Sequence, residues 1–133
     1  LQMAVMTGRV ATGDAALEPR FFPEDPVAPS VALPFRESNL EWVRRTMGLV
    51  VDTGTGTKAQ LEAVEVAGKT GTAENPHGED HAWFVCFAPA SHPRVAMAII
   101  LENAGGGGAI AAPVAARWLS AYFDWFDRGE GER

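Results

Sequence analysis

The chain reads Val66-Ala67-Gly68-Lys69-Thr70-Gly71-Thr72-Ala73-Glu74 near its centre, and this stretch decides how the rest is interpreted. Residues 64–66 alternate in the manner of a strand, so we expect a strand that runs into it. Glycines on both sides of Lys69 let a ligand approach the backbone closely. An ammonium, the hydroxyls of Thr70 and Thr72, and the free N–H groups of a strand edge can together bind a carboxylate. The stretch therefore predicts a site for an extended substrate that carries a carboxylate.

The tripeptide Gly-Lys-Thr also occurs in phosphate-binding loops, but the surrounding sequence does not fit that motif. The motif requires a glycine five residues before Gly68, where this chain has Ala63. No helix is predicted after Thr70, so no helix N-terminus would face a phosphate. A surface turn with an exposed lysine is the plainer alternative, and the flanking glycines and threonines argue against it.

Two further strands are predicted downstream. Residues 83–88 form an apolar run between a turn at residues 75–78 and a second turn at residues 89–93, and residues 94–101 form another run. Short links rich in turn residues join neighbouring antiparallel strands. We therefore predict an antiparallel meander of three strands.

Three helices are predicted around this sheet. The first covers residues 1–10, and the second begins at Ser38, where Ser-Asn-Leu-Glu fits a capping box. The third follows the glycines 105–108, which we interpret as a hinge rather than an anion-binding nest. Pro113 is tolerated if it lies in the first turn of that helix. The order helix, helix, three strands, helix places the chain in the α+β class.

Apolar residues at helical spacing predict which side of each helix is buried. The predicted faces are Leu1, Val5 and Met6 in the first helix, Leu40, Val43, Met47 and Val50 in the second, and Ile110, Val114, Trp118, Ala121 and Trp125 in the third. The first helix is expected to stop at Gly13, and Tyr122 is assigned to the core of the third. Five prolines make residues 18–34 an extended loop, whose Phe21 and Phe22 are expected to contact an apolar surface.

The composition of the 133-residue chain excludes several classes of protein. With 47% hydrophobic and 21% charged residues it is typical of a globular domain. A formal net charge of −6 without a cluster of Lys and Arg argues against a nucleic-acid partner. The longest apolar run, residues 95–101, is far shorter than the roughly 20 residues that span a bilayer.

Metal and cofactor sites are not predicted. The single cysteine, Cys86, allows neither an internal disulfide nor a cysteine-based zinc site, and it is expected to be a buried, inert thiol. The three histidines lack the spacing of metal ligands on any one element. We therefore expect neither a metal nor a cofactor.

Asp52-Thr53-Gly54 offers a different enzymatic interpretation. It follows an apolar pair and resembles the signature of aspartic proteases, in which each of two subunits contributes one such loop and the carboxylates share a proton. That signature lies between strands, whereas a helical pattern precedes it here. A helix end followed by a turn is therefore the favoured interpretation.

Residues 66–74 resemble the third signature motif, Lys-Thr-Gly, of the penicillin-binding transpeptidases. Other segments are similar to that family in the same order: residues 1–4, 47–57, 81–89, 95–103, and 106–113 with its Gly-Gly-x-x-Ala-Ala-Pro pattern. The chain is therefore identified as a member of class B of this family, and residues 100–103 resemble its cell-elongation branch.

The resemblance implies a segment of the serine β-lactamase and D,D-peptidase fold. It also implies a D,D-transpeptidase that cross-links peptidoglycan stem peptides through an acyl-enzyme and is acylated by β-lactams. In such an enzyme Lys69 would maintain the electrostatic field and the proton network around the nucleophile. Thr70 would bind the carboxylate of D-Ala-D-Ala or of a β-lactam. The backbone N–H of Thr72 would be an oxyanion donor, and Gly71 would keep the strand open to substrate. Cys86 stands where the family leads us to expect glycine, which affects packing rather than chemistry.

The family's nucleophile lies in a Ser-x-x-Lys motif, which this chain does not contain, and its Ser-x-Asn motif is missing too. We therefore expect residues 1–133 to be the C-terminal part of one transpeptidase domain, inactive alone. In the family fold two further strands lie beside residues 95–101, so that edge should associate with the missing half or with another chain. The resemblance also implies an extracytoplasmic location, with membrane anchoring through sequence N-terminal of Leu1.

Two other functions stay open on the residues alone. One is a dimeric aspartic protease that uses Asp52-Thr53-Gly54. The other is a non-catalytic peptide-binding module that uses the strand carrying Lys69.

Overall fold

Helices on both faces of one sheet make up the fold, in a computed structural model that describes residues 1–128. The helices are α1 (Gln2–Thr12), α2 (Glu37–Asp52) and α3 (Gly107–Asp127), and a 3-10 turn covers Thr57–Ala59. The strands are β1 (Ala67–Ala73), β2 (His81–Ala88) and β3 (Val95–Leu101), which pair antiparallel in the order β1-β2-β3. The predicted meander and the α+β class are confirmed.

β1 begins later than the sequence predicted. Residues 64–66, expected to be its first part, lie outside the sheet, and pairing starts at Ala67 opposite Phe87. The Glu65 carbonyl instead accepts a hydrogen bond of 2.8 Å from the Ala90 N–H, in the turn after β2. The segment before β1 is therefore held by that turn and not by a neighbouring strand.

Different helices bury the two faces of the sheet. One face carries Phe84 and Cys86 of β2 and packs against α3. α3 contributes a row of mostly small residues, namely Ala111, Ala112, Ala115, Leu119 and Phe123. On the other face Phe87 and Ala67 form a second cluster with Ala11 of α1. Because alternate strand residues point to opposite faces, successive residues of β1 face different helices.

The apolar face predicted for α3 is wrong. Trp118 and Trp125 are 49% and 40% exposed, and the other three predicted residues are exposed too. The alanine face packs on the sheet instead, since small side chains let a helix backbone approach closely and leave no voids. Tyr122 is partly buried and packs against the core, as predicted, and it stacks on the exposed Trp118 with ring centroids 5.3 Å apart.

The buried sides of α1 and α2 also differ from the prediction. α1 stops at Gly13, as expected, in a left-handed conformation with φ of 77°. Leu1 and Met6 are exposed, and the buried residues of α1 are Thr7, Gly8 and Ala11. In α2, Leu40 is buried and Met47 packs against the cluster of Phe87, as predicted. Val43 is exposed, whereas Val51 is buried in addition. The buried side of α1 therefore has fewer large side chains than predicted, and that of α2 is shifted toward Val51.

α2 does not begin with the predicted capping box. Its first residue is Glu37, and the N-cap residue is Arg36, which makes no side-chain cap. Ser38 therefore lies inside the first turn. That turn is tied down by Arg44, whose guanidinium donates to the Glu37 carboxylate and to the Val10 carbonyl of α1, both at 2.7 Å. This turn is thus held by an ion pair and by a contact with α1, and its N–H groups have no side-chain cap.

Pro113 lies in the second turn of α3 rather than in the first. It has no N–H for the Ala109 carbonyl four residues earlier. The Lys58 ammonium donates to that carbonyl at 3.5 Å. This contact connects the 3-10 turn at Thr57–Ala59 to the beginning of α3.

The proline-rich loop is irregular, as predicted, but its two phenylalanines are not pinned to an apolar surface. Phe21 and Phe22 are 76% and 62% exposed. The loop is ordered instead by Asp25, whose carboxylate accepts hydrogen bonds from the N–H groups of Phe22 and Phe21 at 3.1 and 2.9 Å. These backbone hydrogen bonds lower the pKa of Asp25 from its ordinary value.

Gly68 is a position of β1 at which the packing leaves no room for a side chain. A Cβ there would lie 2.5 Å from Cζ of Phe84 and 2.8 Å from the Val85 carbonyl oxygen. We expect Gly68→Ala to lower the free energy of unfolding, measured by urea denaturation, by about 1–3 kcal/mol. Gly48→Ala is the matched control in α2, where no atom lies within 4 Å of the added Cβ. Alanine there should raise the free energy of unfolding by about 0.5–1 kcal/mol. Equal stability of Gly68→Ala and wild type would contradict this packing.

Candidate functional site

Lys69 and Thr70 leave β1 on opposite faces of the sheet. Lys69 lies opposite Val85, and Thr70 lies opposite Phe84, which belongs to the face that α3 covers. Thr70 and Thr72 therefore project toward α3, and Lys69 leaves the strand on the opposite face, the one that carries Phe87. The sequence pattern predicted one ammonium beside two hydroxyls. The strand keeps the two hydroxyl residues on one face and places the ammonium on the other side of β1.

The Lys69 side chain is exposed and returns to its own strand. Its Nζ donates to the backbone carbonyl of Thr70 at 2.7 Å. β1 is the first strand of the sheet, so within residues 1–128 no strand lies along its outer edge. The one ion pair of this part of the chain joins Arg44 and Glu37, so Lys69 is left without a carboxylate partner there. Its charge is available to an anionic ligand.

The hydroxyl of Thr70 pairs with that of Thr55, a residue that the sequence analysis did not single out. The two Oγ1 atoms are 2.7 Å apart and accessible to solvent. In such a pair one hydroxyl donates, and the one that accepts keeps its own O–H free for a bound anion. Thr55 lies in the loop 53–57, Thr-Gly-Thr-Gly-Thr, which follows α2. Two signals could have drawn attention to it: the repetition of hydroxyl and glycine, and its place in the segment 47–57 that resembles the family.

The first residues of α3 reach the same place. Gly107 is buried, and a Cβ there would overlap the carbonyl oxygens of Trp83 and Gly71. A Cβ at Gly108 would overlap the Thr55 carbonyl oxygen. The last two residues of the glycine run therefore form a close contact between α3 and the strand, in place of the predicted hinge.

Asp52-Thr53-Gly54 lies at the end of α2 and not between strands. Asp52 is the last residue of that helix. The Gln60 side-chain amide donates to the carbonyls of Val51 and Asp52 at 3.1 and 2.8 Å, which satisfies the helix end. A cleft of about 540 Å³ adjoins it, lined by Val51, Asp52 and residues 60–66, and no residue of β1 contributes to that lining. The favoured interpretation, a helix end and a turn, describes the local structure.

Cys86 and the histidines add no reactive site. Burial raises the pKa of the Cys86 thiol to about 12, so it stays protonated and unreactive, as the sequence analysis predicted. Residues 1–128 contain no group of three His, Cys, Asp or Glu side chains placed to hold a metal ion. Over the same residues no helix has the combination of length and apolar character that a bilayer crossing needs.

A sheet with Lys-Thr-Gly on its edge strand, covered by a C-terminal helix that begins with glycines, is the arrangement of a known class of protein. Residues 1–120 match the family model described as the penicillin binding protein transpeptidase domain. The chain belongs to this family.

Relatives named as peptidoglycan D,D-transpeptidases, among them MrdA, support the predicted class B assignment of the chain and its elongation branch. The chain is 39% identical to the peptidoglycan D,D-transpeptidase MrdA of Haemophilus influenzae over 129 residues, which cover 83% of this chain and 19% of that protein. It is 46% identical to the peptidoglycan D,D-transpeptidase PbpA of Mycobacterium tuberculosis over an alignment of 68 residues, which covers 43% of this chain and 13% of that protein. The chain thus spans less than a fifth of the length of these relatives.

Solved structures of such domains share the fold. The D,D-transpeptidase domain of a peptidoglycan glycosyltransferase from Eggerthella lenta has a TM-score of 0.74 and 30% identity, covering 92% of this chain and 31% of that chain. Pseudomonas aeruginosa PBP2 in complex with WCK 5153 has a TM-score of 0.74 and 33% identity, covering 91% and 28%. Penicillin-binding protein A of M. tuberculosis, solved as a ceftriaxone acyl-enzyme, has a TM-score of 0.66 and 26% identity, covering 89% and 31%. The predicted fold family is confirmed.

Proposed function

We propose that residues 1–133 are the C-terminal part of a peptidoglycan D,D-transpeptidase domain and supply one wall of its active site. The observation that carries this proposal is the Thr55–Thr70 hydroxyl pair, 2.7 Å apart, on an open edge strand that also bears Lys69 without a carboxylate partner in the described residues. Hydroxyl donors and a cation on a free strand edge suit an extended peptide that ends in a carboxylate. Membership of the penicillin-binding family and the names of the relatives support the reaction.

The proposed substrate is a peptidoglycan stem peptide that ends in D-Ala-D-Ala. Its backbone would lie along β1 as an added strand, held by main-chain hydrogen bonds. The Thr55 hydroxyl would then donate to that of Thr70, and the Thr70 hydroxyl would donate to the terminal carboxylate. Such charge-assisted bonds are about twice as strong as neutral ones. Lys69 would add a positive charge in a chain whose formal net charge is −6. β-Lactams, which carry a carboxylate beside their reactive carbonyl, would occupy the same place.

The proposed reaction is acyl transfer through a covalent acyl-enzyme. A serine hydroxyl from sequence outside residues 1–133 attacks the carbonyl carbon of the penultimate D-alanine. The backbone N–H of Thr72 donates to the oxyanion that forms, and one such donor contributes about 3–4 kcal/mol in comparable enzymes. The terminal D-alanine leaves as an amine with the proton that the serine lost. The amine of a second stem peptide then attacks the ester carbonyl, forms the new amide bond, and gives one proton back to the serine oxygen as the ester bond breaks.

Lys69 and Gly71 would assist that reaction in different ways. The Lys69 ammonium stabilises the charges that develop around the serine and takes part in its proton network. Gly71 separates Thr70 from Thr72 without a side chain of its own, so substrate can approach the backbone. A Cβ at Gly71 would also lie 3.2 Å from the Cβ of Trp83, which is tighter than ordinary van der Waals contact.

We infer that the remainder of the domain covers β3. The outer edge of β3 has no strand beside it within residues 1–128, and its Ile100 is 42% exposed. An unpaired edge of this kind recruits another strand. The half that bears the nucleophile, or another chain, would therefore pair there. In the whole protein we place the domain outside the cytoplasm at the bacterial inner membrane, with its anchor in sequence outside residues 1–133.

Thr70→Val removes one hydroxyl and keeps the shape of the side chain. In the complete transpeptidase that contains this chain, we expect the second-order rate constant for acylation by benzylpenicillin to fall about 10-fold to 100-fold. The reason is that a charge-assisted hydrogen bond contributes roughly 1.5–3 kcal/mol. Thr46→Val is the control, because its hydroxyl bonds only to the carbonyls of Trp42 and Val43 inside α2. An unchanged rate in Thr70→Val would remove Thr70 from the site.

Lys69→Arg keeps the charge but replaces a compact ammonium with a planar fork. We expect a larger loss of acylation than in Thr70→Val, because a planar, delocalised guanidinium replaces the compact ammonium that donates to the Thr70 carbonyl at 2.7 Å. Lys58→Arg is the matched control, since a guanidinium can still reach the Ala109 carbonyl that Lys58 contacts at 3.5 Å. Wild-type acylation of Lys69→Arg would mean that the positive charge alone is required.

The chain of residues 1–133 by itself should not be labelled by penicillin. It retains the Lys-Thr-Gly strand but has no Ser-x-x-Lys to supply an activated nucleophile, and stabilising an oxyanion is useless when none can form. Intact-mass spectrometry after incubation with a fluorescent penicillin should show the unmodified mass, and the complete transpeptidase is the positive control. A stoichiometric adduct on any serine of this chain would contradict the assignment of the nucleophile to other sequence.

A further inference from the structure

The first turn of α3 contacts both members of the Thr55–Thr70 hydroxyl pair at a single position. A Cβ at Gly108 would overlap the Thr55 carbonyl oxygen, and it would lie 3.3 Å from the Thr55 carbonyl carbon. The same Cβ would lie 3.4 Å from Cγ2 of Thr70. Gly108 therefore lies where a side chain would push on the backbone of one threonine and touch the side chain of the other.

The loop that carries Thr55 has little room to withdraw from α3. The N–H groups of Thr53 and Gly56 donate to the Leu49 and Val50 carbonyls at 3.0 and 2.8 Å, so both ends of the loop are tied to the last turns of α2. Gly56 is buried, and a Cβ there would lie 3.3 Å from the ring of Phe84. The Thr55 backbone is thus held between α2 and α3.

α3 is fixed in the same region by two other contacts. Gly107 packs against the carbonyl oxygens of Gly71 and Trp83, which lie directly opposite one another in the β1–β2 pairing. On the other side, the Ala109 carbonyl accepts the 3.5 Å hydrogen bond from Lys58. Neither the loop nor the helix can move without disturbing the neighbouring contacts.

We propose that Gly108 is a positioning residue for the carboxylate site: the absence of a side chain there allows the Thr55 backbone to approach α3, and this places the Thr55 hydroxyl against that of Thr70. The inference rests on the proposed function, since it assumes that this hydroxyl pair receives the carboxylate of the substrate. Gly108 itself touches no reacting atom. It acts through Thr55.

The same glycine run contains a matched control. Gly106, two residues earlier, is exposed, has φ of −82°, and has no atom within 4 Å of an added Cβ. Gly106→Ala and Gly108→Ala therefore add the same methyl group at neighbouring positions. Only the methyl group of Gly108→Ala would contact the Thr55 loop.

The test compares benzylpenicillin with its methyl ester in the complete transpeptidase. The ratio of their second-order acylation rate constants measures how much the enzyme uses the carboxylate. We expect Gly108→Ala to lower this ratio about tenfold relative to wild type, because the donor geometry at the carboxylate is lost. Gly106→Ala should keep the wild-type ratio. A general loss of stability would slow both compounds and lower the melting temperature, but it would leave the ratio unchanged.

The outcomes separate this inference from the proposed function. If benzylpenicillin does not acylate the wild-type enzyme, the proposed function fails, and the inference fails with it. If the wild type is acylated with a high ratio and Gly108→Ala keeps that ratio, the inference alone is overturned.

A second pair of variants covers the case in which Gly108→Ala does not fold. Thr55→Val removes the hydroxyl that the Gly108 contact is proposed to place, and it should lower the ratio. Thr53→Val removes a hydroxyl of the same loop that bonds to the Leu49 carbonyl, and it should keep the wild-type ratio. Retention of the ratio in Thr55→Val, or an equal fall in Thr53→Val, would overturn the inference.

Discussion

The site depends on the close approach of three backbone segments: the edge strand β1, the loop after α2 and the first turn of α3. Side chains at Gly107 and Gly108 would overlap carbonyl oxygens of the other two segments. Glycine allows this approach, although it loses more conformational entropy on folding than any other residue. The gain is that donors from segments far apart in the sequence meet on one exposed surface. The Thr55–Thr70 contact is the clearest product of this arrangement.

The way α3 packs explains how that approach is maintained. Its buried side is formed mostly by alanines, with Leu119 and Phe123 toward its C-terminal end, and this side lies on the face of the sheet that contains Phe84. Small side chains bring the helix axis close to the strands, so the first turn of α3 reaches β1. The side chains proposed to bind substrate and to assist the serine leave β1 on opposite faces. The face toward α3 holds the hydroxyls for the proposed carboxylate, and Lys69 projects toward the side where we expect the nucleophile.

Much of the fold could be predicted from local signals, and the failures have a common physical cause. Turn residues and apolar runs located the three strands, and the Lys-Thr-Gly stretch located the site strand. Periodicity also found an apolar row on α3, but it could not show that the alanine row packs on the sheet and leaves Trp118 exposed. The start of α2 was misplaced by one residue. The helix begins at Glu37, which pairs with Arg44, and Arg44 also contacts the Val10 carbonyl of α1, a tertiary contact that local sequence does not show. Thr55 was missed because its role depends on a partner 15 residues away.

The central claim is that β1, with the hydroxyls beside it, forms the carboxylate-binding wall of a transpeptidase site. A crystal structure of the complete transpeptidase acylated by benzylpenicillin tests it most directly. We expect a carboxylate oxygen of the bound penicillin within hydrogen-bond distance, about 2.5–3.0 Å, of Oγ1 of Thr70, and the acyl carbonyl oxygen accepting from the Thr72 N–H. An acyl-enzyme in which the carboxylate lies away from Thr70 and β1 does not line the bound penicillin would contradict the account.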